Sequence, residues 1–183
     1  MDGSVVEIVP LAGERAADEP MPSRGALWSQ IRSEAAGVVQ NEPLLGSLIH
    51  AGLLHHATFE AALAYRFSLK LASNEMSEQI LREIADHAHA REPALADAGR
   101  ADLVAVFQRD PACHRLMQPM LFFKGFQALQ AYRIAHWLWN TDRRDMAYFV
   151  QMRGSEVFGV DIHPGAREHV RAGPANIIMP WFL

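Results

Sequence analysis

The chain contains a single cysteine, Cys113, among its 183 residues, and this excludes a disulfide within the chain. A reducing cytoplasm is therefore the compartment that fits the sequence. No stretch stays apolar and uncharged for the length of a membrane span, because Lys124, Arg133 and His136 interrupt the most apolar segment. The N-terminus carries early acidic residues and no basic segment before an apolar run, so we do not predict a secretory signal.

Basic sequence is also scarce, with 17 Lys and Arg residues against 21 Asp and Glu residues and a formal net charge of −4. There is no run of basic residues and no alternation of basic and aromatic residues, which argues against a nucleic-acid-binding surface. Glycine-rich loops of the kind that bind nucleotide phosphates are absent from the sequence as well. The absence of these sequence features argues against three functional classes: nucleic-acid-binding proteins, membrane-spanning proteins and P-loop nucleotide-binding proteins.

Hydrophobic residues, by contrast, make up 50% of the chain, which is ample for a core. The most apolar stretch, PMLFFKGFQALQAYRIAHWLW, covers Pro119 to Trp139. Its apolar residues recur at steps of three and four and also fill most of the remaining circumference, the pattern of a helix buried on most sides. We therefore predict one long helix here, with the other helices packed around it.

Helix signals also mark most of the preceding sequence. Ser23, Thr58 and Ser77 each stand before a helical pattern and are predicted N-caps. Between the first two of these caps, Asn41 and Pro43 are predicted to end the first helix and to open a second that runs to His55 or His56.

Two further boundaries are predicted later in the chain. Gly99 is expected to break the helical pattern that follows Pro93, and Asp110-Pro111 to end it. Thr141 is expected to cap a last helix that ends near Phe158. Up to that residue the chain is predicted to be all-α, and at Gly159 the composition changes to β-branched residues, glycine and proline.

Several ordered motifs resemble the serine O-acetyltransferase family of cysteine biosynthesis, over roughly residues 26 to 167. The motifs are ALWSQIRSEA, EPLLGSLIH, RADLVAVFQRDPAC, KGFQALQAYRIAHWLW with the following Arg143 and Arg144, and SEVFGVDIHPGA. The resemblance implies the family's N-terminal helical domain, followed by the start of a left-handed parallel β-helix. The aperiodic mixture of Gly, Pro, Glu and Asp in residues 1–22 predicts a mobile leader. The resemblance divides the rest into an all-helical domain (23–158), the first β-helix turn (159–167) and an unmatched tail (168–183).

The β-helix is not expected to be completed within this sequence. Hexapeptide repeats place one aliphatic residue inward in each turn, and Ile162 is the first such residue. The next two hexad positions hold Glu168 and Pro174, and the closing segment shows no hexad period. A solenoid needs about three turns to bury its own core, and only one turn is supported here.

The resemblance also implies an activity, transfer of the acetyl group of acetyl-CoA to the hydroxyl of L-serine, and roles for two carboxylates. Asp161 matches the aspartate that orients the family's general-base histidine. The position of that histidine is occupied here by Asn176, which cannot act as a base. Asp110 matches an aspartate that holds the substrate. Judged without the family, Asp161 is a turn residue and Asp110 simply ends a helix before Pro111.

Partners and cofactors follow from the same resemblance. No permanently bound cofactor is implied, and acetyl-CoA is a co-substrate whose contacts come from the β-helix coils. The family assembles as a hexamer of two trimers, and its C-terminal tail docks into O-acetylserine sulfhydrylase, but no such tail is recognisable here. Because the base and the coils are not recognisable either, we expect the 183 residues to be inactive alone. The alternative function is a helical oligomerisation module derived from the enzyme.

Several histidines are candidate metal ligands by residue type. His87 and His89 point in different directions on a helix, and Glu83 with His87 would supply only two ligands. Together with the adjacent His55 and His56, they are predicted to lie on solvated helix faces, so no metal is expected. His136 is predicted to be a satisfied core or interface histidine, and Cys113 not to be catalytic. If the chain were active, His163 and His169 would be the first alternative bases.

Overall fold

The computed structural model describes residues 22–166 and the backbone of residues 171–172 and 178–179. The predicted all-α class is confirmed, because the described part before residue 159 is built from helices joined by short connections. The helices are Arg24–Asn41 (α1), Gly46–Ile49 (α2), Phe59–Leu71 (α3), Glu78–Arg91 (α4), Ala94–Arg109 (α5), Met117–Phe122 (α6), Lys124–Asn140 (α7) and Arg144–Phe158 (α8). A 3-10 turn, Pro43–Leu45, precedes α2, and a π-helical segment, His50–Leu54, follows it.

The three predicted N-caps are confirmed by their hydrogen bonds. The Oγ of Ser23 accepts from the backbone N–H of Ala26, and Thr58 and Ser77 do the same at the starts of α3 and α4. Each bond satisfies one of the backbone N–H groups that a helix start leaves without a partner. The second predicted helix is divided into the 3-10 turn, α2 and the π-helical segment.

Two apolar clusters form the core. The first lies between α1, the π-helical segment, α6 and the N-terminal half of α3, and it includes Leu27, Ile31 and Phe59. The second lies between α4, α7, α8 and the C-terminal half of α3, and it includes Leu81 and Leu138. Helix α3 therefore spans both clusters and links the two halves of the fold.

The prediction of one continuous helix from Pro119 to Trp139 is wrong in one respect. The backbone of Phe123 is extended, with φ −95° and ψ 106°, and it separates α6 from α7. The carbonyls that α6 leaves free are taken by side chains. Arg66 donates to the oxygens of Met120 and Leu121 at 3.2 and 3.1 Å, and Gln127 donates to that of Met120 at 3.1 Å. Tertiary hydrogen bonds thus replace the helical ones across the break.

Two local predictions are also wrong. Gly99 does not break α5 but lies buried within it. A Cβ at this position would lie 2.9 Å from Oε1 of Gln130 and 3.2 Å from Cδ1 of Leu63, so the neighbouring side chains leave room only for glycine. The glycine serves close packing rather than a turn. Thr141 does not cap α8; its Oγ donates to the carbonyls of Trp137 and Leu138 and so finishes α7. A residue in the left-handed region, Asp142 with φ 57°, follows it.

Helix α8 ends at Phe158 and is followed by Gly159 in the left-handed conformation, with φ 73°. Glycine adopts this conformation without a steric penalty and commonly terminates helices. Residues 160–166 then run without regular structure to a turn at Pro164 and Gly165. Farther on, two-residue strands Arg171–Ala172 (β1) and Ile178–Met179 (β2) pair antiparallel. The predicted leader, except for Pro22, and most of the predicted tail lie outside the described residues.

Candidate functional site

Asp110 stands at the C-terminal end of α5 and is buried, with 5% of its surface exposed. Its backbone N–H completes α5 by donating to Val106, while its side-chain Oδ1 accepts from the N–H of Ala112 at 2.9 Å. The following Pro111 cannot continue the helix hydrogen bonding. Asp110 therefore ends α5, as predicted from the residues alone, and its carboxylate is held in a fixed orientation by the turn that follows.

The connection after Asp110 is fixed by further polar contacts. The Oε1 of Gln118 accepts from the N–H groups of His114 and Arg115 at 2.7 and 3.0 Å. Glu34 on α1 accepts from the N–H of Met117 at 3.1 Å, and burial raises the pKa of the Glu34 carboxyl. Cys113 is fully buried within this connection, and its thiol donates to the carbonyl of Arg115. A buried, hydrogen-bonded thiol of this kind is a structural group rather than a nucleophile.

Asp161 is exposed and lies two residues beyond Gly159. Its Oδ1 accepts a hydrogen bond of 2.6 Å from the side-chain amide of Gln151 on α8. The next residue, Ile162, is half-buried and packs against the second apolar cluster, which fixes the direction of the chain here. The carboxylate is therefore presented at the surface where the chain leaves the helices, with one oxygen already oriented.

Three side chains of α7 hold the turn after Asp161, and the sequence analysis did not identify this contact. The hydroxyl of Tyr132 donates to the carbonyl of Ala166 at 2.7 Å, and Nδ1 of His136 lies 2.7 Å from the carbonyl of Pro164. One turn further, Trp139 packs so closely on Gly165 that a Cβ there would be 3.1 Å from the indole ring. These positions lie on one helical face, as their spacing of four and three indicates.

His136 is a satisfied interface histidine, as predicted. A carbonyl can only accept, so the proton of the neutral imidazole lies on Nδ1, and Nε2 accepts from the side-chain amide of Asn140 at 2.9 Å. His163, one of the alternative bases, is exposed, and its Nδ1 accepts from the N–H of Gly165 at 3.0 Å. The other, His169, lies outside the described residues.

Within residues 22–166, no three His, Cys, Asp or Glu side chains come together as a metal site. His87 accepts from Arg91 at 3.2 Å and lies at the surface. The prediction of solvated helix faces is wrong for two of the histidines, because His56 is buried and His89 is half-buried, and burial lowers the pKa of each imidazole. In the same part of the chain, no helix has the length and apolar character needed to cross a membrane.

The two candidate carboxylates lie at different junctions of the fold, one between α5 and α6 and the other after α8. Asp110 is buried and oriented by backbone, whereas Asp161 is exposed and oriented by Gln151. Both can accept hydrogen bonds or pair with a cation.

Comparison with known proteins assigns this fold to a family. The family model described as "Serine acetyltransferase, N-terminal" matches residues 27–131. The chain belongs to the serine acetyltransferase family. The serine acetyltransferase of Salmonella typhimurium is 45% identical over 141 residues, which are 77% of this chain and 52% of the relative.

Solved structures of the family agree with the fold. A serine acetyltransferase from Neisseria gonorrhoeae is 46% identical with a TM-score of 0.75, and the match covers 77% of this chain and 56% of that one. A Brucella abortus serine acetyltransferase in complex with coenzyme A is 40% identical with a TM-score of 0.75 and the same coverage. The chain spans about half the length of the curated relatives it matches, 52% in the Salmonella case.

Proposed function

We propose that this chain is the helical part of a serine O-acetyltransferase, which converts acetyl-CoA and L-serine to O-acetyl-L-serine and CoA in the first step of cysteine biosynthesis from serine. The observation that carries the proposal is the match of residues 27–131 to the serine acetyltransferase N-terminal domain. The Brucella relative bound to coenzyme A supports acetyl-CoA as the co-substrate. The single cysteine fits the cytoplasm as the location.

Each carboxylate has a role in this reaction. Asp110 binds the ammonium group of serine, since a buried, oriented carboxylate forms a strong charge-assisted hydrogen bond with a cation. Asp161 orients the imidazole of a general base, which takes the serine hydroxyl proton as the oxygen attacks the thioester carbonyl and CoA leaves. Transfer is direct, with no acyl-enzyme.

The general base itself has no counterpart at the matching position. Asn176 stands there, and an amide takes up no proton near neutral pH. A general base typically contributes about a hundred- to ten-thousand-fold to such a step. We therefore propose that residues 1–183 alone do not acetylate serine at a rate like that of the family, and that Asn176→His by itself restores nothing.

The test is release of thiol from acetyl-CoA that depends on added L-serine. The purified chain is expected to be inactive, and a chimera in which a complete family β-helix replaces the residues after Arg167 is expected to be active. In that chimera, Asp161→Asn should lower kcat by about a hundredfold or more. The matched control is Asp145→Asn, an exposed aspartate in the first turn of α8, which should leave kcat unchanged.

Two outcomes would contradict this scheme. Serine-dependent turnover by the 183-residue chain would require another base, and His163 or His169 would be tested first. Equal activity of the Asp161→Asn chimera and the Asp145→Asn chimera would remove Asp161 from the mechanism.

A second candidate function is a helical oligomerisation module derived from this enzyme. It is favoured by the large apolar side chains at the surface of the described helices, including Phe122, Tyr148 and Met152. Assembly as two trimers belongs to this proposal, and mixed assembly with full-length subunits would be its biological effect. O-acetylserine sulfhydrylase is not proposed as a partner of the present residues. The division of the chain at residues 22, 158 and 167 is likewise part of the proposal.

A further inference from the structure

A cleft of about 590 Å³ opens beside the π-helical segment, and neither candidate carboxylate lines it. It is lined by His50, His55, His56, Tyr65 and Arg82, with three alanines between them. The alanines leave room at the centre, and the larger side chains carry hydrogen-bond donors around it. No role in the proposed acetyl transfer falls to any of these residues.

The π-helical segment gives this cleft its shape. The N–H of His55 donates to the carbonyl of His50, five residues back, at 2.9 Å. Nε2 of the His56 imidazole donates to the carbonyl of Ala51 at 2.9 Å, so this ring folds back over the segment and is buried. Short π-helical turns cost stability and occur often at functional sites.

Helix α1 fixes the rim of the cleft from behind. Arg32 donates to the carbonyls of Leu54 and His56 at 2.8 and 2.5 Å. The indole N–H of Trp28 donates to the carbonyl of Ala57 at 2.9 Å. The backbone that carries the histidines is thus held in place before any ligand arrives, and such preorganisation lowers the cost of binding.

The donors of the cleft suit an anion. Arg82 pairs through Nε with Asp86 at 3.0 Å, which leaves the two terminal nitrogens of the guanidinium outside that ion pair. The rings of His55 and Tyr65 lie 5.9 and 5.0 Å from the ring of His56, so the three rings are neighbours in the lining of the cleft. The N–H of His56 is donated to Ala51, whereas the guanidinium of Arg82 and the imidazole and phenol groups of His55 and Tyr65 are donors of the kind that bind the oxygens of a phosphate.

We propose that this cleft binds the phosphate group of a small phosphorylated molecule. Arg82 supplies the permanent charge, and the exposed His50 and His55 add imidazole groups at the two ends of the π-helical segment. The cleft is larger than a phosphate group, and its volume lies in the range of protein clefts that bind small molecules.

Between about pH 8 and pH 6 histidine gains a proton, and a phosphate group gains one as well and loses negative charge, so the two changes have opposite effects on binding. A bound dianion favours the charged imidazole of each histidine it contacts. Burial lowers the pKa of His56, and the nearby Arg82 and His55 lower it further, whereas its bond to Ala51 and the charge of Asp86 oppose them.

The test is titration of the 183-residue chain, followed by the imidazole C–H signals in NMR spectra at constant ionic strength. The probes are inorganic phosphate and glucose 6-phosphate, with glucose and sodium chloride as phosphate-free controls. Both phosphates should give saturable shifts of the His50 and His55 signals below about 50 mM. Tighter binding of glucose 6-phosphate would assign the site to a phosphorylated metabolite, and equal binding would assign it to free phosphate.

Variants locate the site. Arg82→Gln should weaken phosphate binding about tenfold, the effect of losing a charged hydrogen bond. Arg91→Gln makes the same change on the same helix at an exposed position and should weaken it by less than about twofold. If the Arg82→Gln variant does not fold, His55→Asn, a substitution at an exposed position, takes its place in the comparison. The absence of saturable shifts, or equal weakening in the two arginine variants, would overturn the proposal.

Discussion

At the scale of single residues, Gly99 and Gly37 show why the same residue type needs two different explanations. Both lie inside helices, but a Cβ at Gly99 would press on Gln130 and Leu63, whereas a Cβ at Gly37 would meet nothing within 4 Å. Gln130 has little freedom to move, because its Oε1 accepts from Arg133 at 3.1 Å and its amide donates to Asp102 at 3.3 Å.

The two glycines should therefore respond oppositely to alanine. Overpacking costs about 1–3 kcal/mol, and replacing a helical glycine by alanine returns about 0.5–1 kcal/mol. Gly99→Ala is expected to lower the free energy of unfolding by about 1 kcal/mol, and Gly37→Ala to raise it by about 0.5–1 kcal/mol. Urea unfolding followed by circular dichroism measures both, and stabilisation by Gly99→Ala would show that Gln130 moves aside.

Side-chain caps were the residues best predicted from sequence. Ser23, Thr58 and Ser77 each act on a backbone group three residues away, so the local sequence contains the whole interaction. Thr141 was assigned to the wrong helix because a hydroxyl can satisfy the carbonyls behind it as well as the N–H groups ahead. For Gly99 the residues that require a glycine, Gln130 and Leu63, lie on other helices, so the sequence around Gly99 does not reveal them.

At the scale of elements, the break between α6 and α7 depends on the side chain of Arg66. This arginine is 4% exposed, and its described partners are the carbonyls of Met120 and Leu121. Burial lowers the pKa of its guanidinium, which shows that the charge is poorly hydrated there. The apolar pattern of Pro119–Trp139 was read correctly as buried helix, but a break made by a residue more than fifty positions away leaves no local signal.

Arg66→Ala should expose this dependence. The change leaves the Leu121 carbonyl without its Arg66 donor and opens a space in the core, and we expect a loss of about 2–4 kcal/mol in the free energy of unfolding. Lys70→Ala, one turn along the same helix at an exposed position, is the matched control and should change stability by less than about 0.5 kcal/mol. A loss within the range of the control would mean that the break is set by Phe123 and its neighbours alone.

At the scale of the whole molecule, the family resemblance draws attention to Asp110 and Asp161, yet the surroundings of these residues came only from the structure. Gln151 and the α7 residues Tyr132 and His136 contact the segment around Asp161 across 10, 34 and 28 positions of sequence. Such contacts arise when α7 and α8 pack together, and a pattern read along one helix does not contain them. The catalytic roles of the two carboxylates stay predictions.

The last prediction concerns self-association. Tyr148 and Met152 are 47% and 42% exposed and lie four residues apart on α8, so they form adjacent parts of one surface. Contiguous exposed apolar surface on a folded protein commonly marks a contact with another molecule. We therefore expect the chain to sediment as a species larger than a monomer at tens of micromolar concentration. Replacing both residues by serine should shift it towards monomer, whereas Leu44→Ser, in the 3-10 turn and 97% exposed, should not. A monomer at every concentration would contradict the oligomerisation module, and equal effects of the two variants would place the contact outside α8.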